Sequence, residues 1–260
     1  MATRNTPFAA GTPCWVDLLS SDVGTARRFY GDVLGWTAEE SGAEFGGYVT
    51  FRSGGHRVAG LMANQPGNGI PDFWNTYLST DDIEHTLETA VKAGASVIAP
   101  PMVVADLGAM AILTDPAGAT VGIWQPGSHI GFEKYNEPGG VTWDELHSKD
   151  FEASTRFYAE VFGWQLEPTS DTDDFRYSTG QIDGQPVAGL MDSSKFLPPE
   201  VPSMWTVYFS APDIDLAAEK VTAGGGRVLR PPEDTPFGRI GEFADPTGAL
   251  FKLHSDSSQG

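Results

Sequence analysis

The chain has 260 residues, and its 16 Lys and Arg against 35 Asp and Glu leave a formal charge of −19. Such a surface repels phosphate backbones and no basic stripe compensates, which argues against nucleic acid and anionic membranes as partners. No apolar run approaches the roughly 20 residues of a membrane span, the opening MATRNTPFAAGTP lacks the apolar stretch of a secretory signal, and the lone Cys14 cannot close an internal disulfide, so a cytoplasmic protein is expected.

In chain order, the first strand falls at 14–20. Asp22 follows as the N-cap of a helix whose Val23, Ala26, Phe29, Tyr30 and Val33 recur at helical spacing, and Gly35 ends it. Short strands are expected near 37–39, 48–52 and 57–62. The scheme then restarts with a strand at 74–79, the cap Asp82, a helix over 83–93, Gly94, and strands near 97–99, 110–113 and 120–124. Each pass is one βαβββ module.

The second half repeats the first. TPCWVDLLSSDVGTARRFYGDVLGW at 12–36 returns as GVTWDELHSKDFEASTRFYAEVFGW at 140–164. VAGLM at 58–62 recurs at 187–191, Trp74 and Tyr77 match Trp205 and Tyr208, and DPAGA at 115–119 matches DPTGA at 245–249. The joint lies in the Pro- and Gly-bearing stretch 125–140. The expectation is an α+β chain of four βαβββ modules, about 12–66, 72–127, 140–195 and 203–256, paired into two tandem domains, 1–130 and 131–260. The glycines of GAEFGG and AGGGR lack phosphate-loop or dinucleotide spacing, and GxSxG, HExxH and CxxC are absent.

A module reading strand–D–helix–FY–xxx–LG(W/F) with a closing DPxG strand resembles the vicinal oxygen chelate superfamily of glyoxalases, bleomycin resistance proteins and extradiol dioxygenases. It resembles in particular a two-domain actinobacterial glyoxalase-like or "hydroxylase" subgroup. The resemblance implies two paired modules per domain, their sheets curled into an open cup with the helices outside. Strand alternation then turns Val16, Leu18 and Leu146 toward the helices. It turns Trp15, Asp17 and Leu19, and likewise Trp143, Glu145 and His147, into the cups. Asn75, Tyr77 and Trp124 of the first half, and Thr206, Tyr208, Lys252 and His254 of the second, face inward too.

Metal-dependent members of that family hold one divalent ion with a His or Gln on first strands and a Glu on last strands. Counting from the helix caps and the DP aspartates puts those positions at Trp15, Asn75, Trp143, Thr206, Gly122 and Lys252, with Gly60 and Gly189 on the fourth strands. None offers a carboxylate or imidazole, so no metal and no other cofactor is expected.

Two readings of the emptied cups stand open. Trp15 and Trp143 either plug a core, or line a pocket for a planar aromatic small molecule together with Tyr77, Tyr208, Asn75, Trp124 and His254. Glu145 and His147, two residues apart on one face, are close enough to share a proton. With Asp17 they are the candidate catalytic groups; pairing with nearby Tyr or Trp donors is the structural alternative. The expected activity is binding of a polyketide-like aromatic, with acid–base turnover. Non-catalytic drug sequestration, a metal-dependent glyoxalase with shifted ligands and a partner-binding surface protein are the alternatives. Two fused halves favour a monomer, with a homodimer open.

Overall fold

A computed structural model describes residues 4–42, 45–67 and 69–255. Ala43 and Glu44 of the GAEFGG turn, and Asp256 at the end of the fourth expected module, lie outside the described residues. The first module comprises β1 (Pro13–Ser20), α1 (Val23–Leu34), β2 (Thr37–Glu40), β3 (Val49–Ser53) and β4 (His56–Ala63). The second comprises β5 (Phe73–Ser79), α2 (Ile83–Lys92), β6 (Ser96–Val104), β7 (Gly108–Thr114) and β8 (Thr120–Pro126). The third has β9 (Val141–Ser148), α3 (Phe151–Phe162), β10 (Gln165–Asp171), β11 (Arg176–Ile182) and β12 (Gln185–Asp192). The fourth has β13 (Met204–Ser210), α4 (Ile214–Ala223), β14 (Arg227–Thr235), β15 (Gly238–Ala244) and β16 (Leu250–Ser255). Among the described residues no helix is long and apolar enough to cross a membrane.

All four helices start the same way. Asp22, Asp82, Asp150 and Asp213 each accept a hydrogen bond from the backbone N–H three residues on, which satisfies a donor the helix cannot. The two helices carrying the FY pair end on left-handed glycines, Gly35 at φ 70° and Gly163 at φ 71°, where a side chain would be strained.

The strands form two eight-stranded mixed sheets, β2-β3-β4-β1-β5-β8-β7-β6 and β10-β11-β12-β9-β13-β16-β15-β14. Two modules meet at the centre of each sheet, where β1 runs antiparallel to β5 and β9 to β13. These are two tandem α+β domains, each of two paired βαβββ modules. The alternation read from the sequence holds: Val16, Leu18 and Leu146 are fully buried on the helix side, while Trp15 and Asp17 share the opposite face with their strand partners Tyr77 and Asn75.

The core is assembled crosswise. One cluster joins the first module to the fourth, through Phe29, Tyr30 and Trp36 against Phe209, Phe243 and Phe251, with Trp74 of β5 packed among them. The other joins the second to the third, through Leu78, Leu113 and Ile123 against Leu146 and Tyr158, with Trp205 of β13 packed among them. The tyrosine of each FY pair reaches the DP aspartate of the other domain: Tyr30 donates to Asp245 at 3.2 Å and Tyr158 to Asp115 at 3.0 Å. Trp74 and Trp205 donate in turn to those tyrosine hydroxyls. The helix-bearing faces therefore turn toward each other and the two cups open away.

One further bond crosses this seam. Thr76 of β5 donates to Asp144 Oδ1 at 2.8 Å, leaving Oδ2 buried without a partner. Burial, opposed only by that bond, pushes the Asp144 carboxyl up to about 7. A raised folded-state value favours folding below the unfolded carboxyl range and loses that contribution as pH climbs toward 7. Of the order of a few kcal/mol is at stake, at about 1.4 kcal/mol per unit. Asp144→Asn removes the linkage, so its melting temperature should vary less between pH 5 and 8 than that of the wild type. Parallel melting curves across that range would refute this account.

Candidate functional site

The closing strands decide how the two cups differ. Register sets Gly122 beside Tyr77 in the first domain and Lys252 beside Tyr208 in the second. A Cβ at Gly122 would run into the Tyr77 ring, so the first cup has no room there for a longer side chain. In the second, Lys252 Nζ reaches Glu145 Oε1 at 3.0 Å, the Tyr208 hydroxyl at 2.7 Å and Glu242 Oε1 at 3.4 Å.

His147 Nε2 lies 2.7 Å from the same Glu145 oxygen, and the Tyr208 hydroxyl donates to it at 2.8 Å. With Nε2 engaged by Glu145, Nδ1 is the His147 ring nitrogen left outside this contact. Burial alone would raise the Glu145 carboxyl, but Lys252 and then His147 outweigh it and hold the group well below the usual carboxylate range. Burial and the neighbouring Glu145 charge push the Tyr208 phenol well up. Glu145 thus serves as a fixed anion that orients a histidine, a lysine and a tyrosine. The histidine is the member suited to exchanging protons with a ligand.

The wall of this cup is aromatic and partly open. Trp143 keeps some exposure and donates to the Tyr177 hydroxyl at 3.1 Å, and Tyr177 stacks on the exposed Phe175 with centroids 5.9 Å apart. Opposite Glu145 in the register, Thr206 buries its hydroxyl without a hydrogen-bond partner. His254 sits farther out, partly exposed, with Nε2 2.7 Å from the Phe237 carbonyl oxygen. It belongs to the rim and does not join the Glu145 cluster.

The first cup holds Asp17 where the second holds Glu145. Asp17 accepts from Trp15 Nε1 at 2.9 Å and from Tyr48 at 2.6 Å. Burial raises its carboxyl against those bonds, with no ammonium to offset it. Asn75 faces Asp17 with both amide atoms buried, beside the Tyr77 hydroxyl. Trp15 is only 4 % exposed, and Trp124 donates to the His129 carbonyl of the interdomain linker at 2.8 Å. Of the three candidate acid–base residues, the fold joins Glu145 to His147 and sets Asp17 in the other cup.

Three comparisons bear on this geometry. The family model of the Glyoxalase/Bleomycin resistance protein/Dioxygenase superfamily matches residues 14–123 and 135–253. The chain belongs to that superfamily. It is 34% identical over 261 residues to "Putative glyoxylase CFP32" of Mycobacterium tuberculosis, covering 98% of this chain and 99% of that protein. It is 37% identical over 269 residues to "Anthracycline biosynthesis protein DnrV" of Streptomyces peucetius, covering 95% and 94%. Its fold resembles the Mn(II)-bound glyoxalase of Novosphingobium aromaticivorans, at a TM-score of 0.67 and 16% identity over 96% of this chain and 83% of that one. It also resembles the 2,3-dioxygenase LapB of Pseudomonas sp. KL28, at 0.65 and 14% over 94% and 91%.

The family's metal does not fit the residues present. A Cβ at Gly60 would collide with the Tyr48 hydroxyl and the Asp17 carboxyl, and one at Gly189 with the Tyr177 hydroxyl. Neither position can carry the glutamate a chelate needs. Lys252 brings an ammonium to the second closing strand, and a cation repels a cation. Among the described residues no group of three or more His, Cys, Asp and Glu is arranged to hold an ion.

Lys252 is the member of this cluster that sequence reasoning underrated. Alternation turned it into the cup, but its partner Glu145 lies 107 residues away, and no local pattern links them. Lys252→Met strands a buried carboxylate, so it should destabilise the chain by about 3–5 kcal/mol. The double variant Lys252→Met with Glu145→Gln should recover most of that in urea unfolding. Dialysis against a chelator should leave the melting temperature of the wild type unchanged.

Proposed function

We propose that the second cup binds a planar, oxygen-rich aromatic molecule of the polyketide type and moves a proton on it. The observation that carries this reading is the buried Glu145–His147–Tyr208–Lys252 cluster at the base of a partly open aromatic wall. A flat ring system gains area against Trp143, Tyr177 and Phe175. Lys252, with three N–H donors, is suited to a developing enolate or phenolate oxygen, and His147 is suited to taking the adjacent C–H proton. The unpaired Thr206 hydroxyl supplies one more polar contact, since a buried group without a partner costs ~1–3 kcal/mol that a ligand would relieve. The kinship with an anthracycline biosynthesis protein supports the aromatic ligand class, and the kinship with a protein named as a glyoxylase supports proton chemistry at carbon.

Sequestration without turnover is the second reading, favoured by one observation: Glu145 Oε1 is held by His147, Tyr208 and Lys252 at once, as in a purely structural ion pair.

Titrating the chain with 1,8-dihydroxyanthraquinone should quench tryptophan emission, and Trp143→Phe should remove most of the response. Incubating anthrone, a flat tricyclic ketone, in deuterated buffer then separates the readings. Turnover requires enzyme-catalysed deuterium uptake that His147→Ala lowers by about 10²-fold or more, with ligand affinity held within a few fold. Tight binding with no catalysed uptake would establish sequestration, and no quenching would discard both.

A further inference from the structure

A strand at the edge of a sheet offers unpaired backbone groups to any passing strand, and proteins guard such edges with charge. The two sheets end on four strands, β2, β6, β10 and β14. Three of these carry ion pairs. In β2, Glu39 pairs with Arg52 and Glu40 with Arg27; in β10, Asp171 pairs with Arg176; in β14, Asp234 pairs with Arg239 and Glu233 with Arg230. β6 carries no charged residue, and none stands between Lys92 and Asp106. On a chain with a formal charge of −19, that neutral edge stands apart.

The duplication supplies the comparison. β6 and β14 are equivalent strands, each with a central proline pair, Pro100–Pro101 and Pro231–Pro232. β14 puts Arg227, Arg230, Glu233 and Asp234 where β6 has Ser96, Ala99, Met102 and Val103. In β6 the side chains left in water are apolar: Val97 is 43 % exposed, Ile98 56 %, Met102 55 % and Val103 76 %. Apolar side chains exposed side by side mark an interaction surface, where single ones would not.

Their order indicates what fits. Counted outward from the Pro100–Pro101 bond, Ala99 mirrors Met102, Ile98 mirrors Val103 and Val97 mirrors Val104. A copy of the strand laid antiparallel about that bond therefore sets an apolar side chain against an apolar one at each of these steps. The prolines donate no N–H, and two register shifts bulge the strand between Val97 and Met102. A backbone ladder cannot run through the centre, so side chains carry the contact. Charge selects the same occupant. A basic partner would find no acid on this strip, whereas a second copy, repelled by the acidic surface elsewhere, meets neutral strip with neutral strip.

We propose that β6 is a self-association surface, through which two copies of the chain form a twofold dimer with Ile98 of one packed on the partner's Val103 about the Pro100–Pro101 bond. Such a pairing is closed and stops at two copies. It uses the outer edge of the first sheet, so the Glu145 cluster takes no part and the proposal does not rest on the function assigned to the second cup.

Sedimentation of the intact chain should show a concentration-dependent dimer that tightens as salt rises. Screening removes the repulsion between two copies of charge −19 and leaves apolar contact intact, whereas a contact held by ion pairs would weaken. Ile98→Lys with Val103→Lys lowers that repulsion but sets ammonium groups opposite one another. It should weaken the dimer by about 10²-fold or more, with the melting temperature held because both positions are exposed. Register is tested with Ile98→Cys and Val103→Cys made singly; Cys14 is buried and stays out of the reaction. Mixed and oxidised with diamide, the two variants should form disulfide-linked dimers. Either one alone should not, because across this axis like positions stand about 16 Å apart, too far to bridge. A wild type still monomeric at about 0.2 mM in high salt overturns the proposal and leaves the strip to a partner of another sequence. A dimer that survives the two lysines overturns it too, as does a cysteine mixture no more linked than its components.

Discussion

Everything in this molecule hangs on a tyrosine reaching across to an aspartate of the other domain. Tyr30 to Asp245 and Tyr158 to Asp115 are buried bonds between opposite halves of the sequence. Each aspartate also ties its own turn by accepting several backbone N–H groups. The phenols stay protonated because burial, reinforced by the facing carboxylate, raises them well above their ordinary range. Each is therefore a dependable donor. Around each clasp a tryptophan donates to the same hydroxyl and a cross-domain core closes. Because the helix faces are spent on this seam, the concave faces of the sheets are left for ligands.

The architecture was legible because each module repeats its grammar locally. Four aspartate caps, two left-handed glycines and strict alternation in the first strands are short-range signals, and the structure carries them as read. Alternation also sorted Trp15, Asp17, Glu145 and His147 onto the cup faces, and the Glu145–His147 contact follows from their spacing of two. What eluded the sequence is long-range. Nothing local shows that Tyr30 serves Asp245, that Lys252 finds Glu145, or that the linker between the domains lies over Trp15. Those facts depend on how sheets are ordered and faced, a property of the assembled chain. Trp15 and Trp143 were read as an equivalent pair, yet one is sealed beneath His129 and Phe132 and the other keeps some exposure.

The chemistry of the two cups is tuned by corresponding acids, Asp17 and Glu145, in different company. Asp17, among a tryptophan and tyrosines, is raised by burial; Glu145, beside an ammonium and an imidazole, is held down. The backbone positions correspond, so the difference comes from neighbours: Lys252 for Gly122, His147 for Leu19, Glu242 for Ile112.

Covalent fusion of the halves has an evolutionary consequence. Had the two cups belonged to identical chains in a symmetric dimer, any lysine entering a closing strand would have appeared twice, once in each cup. In the first cup it would have met the Tyr77 ring. Joined in one chain, the copies mutate separately, so one lineage of positions could turn polar while its sibling stayed apolar. The Gly122 and Lys252 pair is the mark of that broken symmetry: one inherited scaffold, two independently drifting interiors, and a shared seam that constrains both.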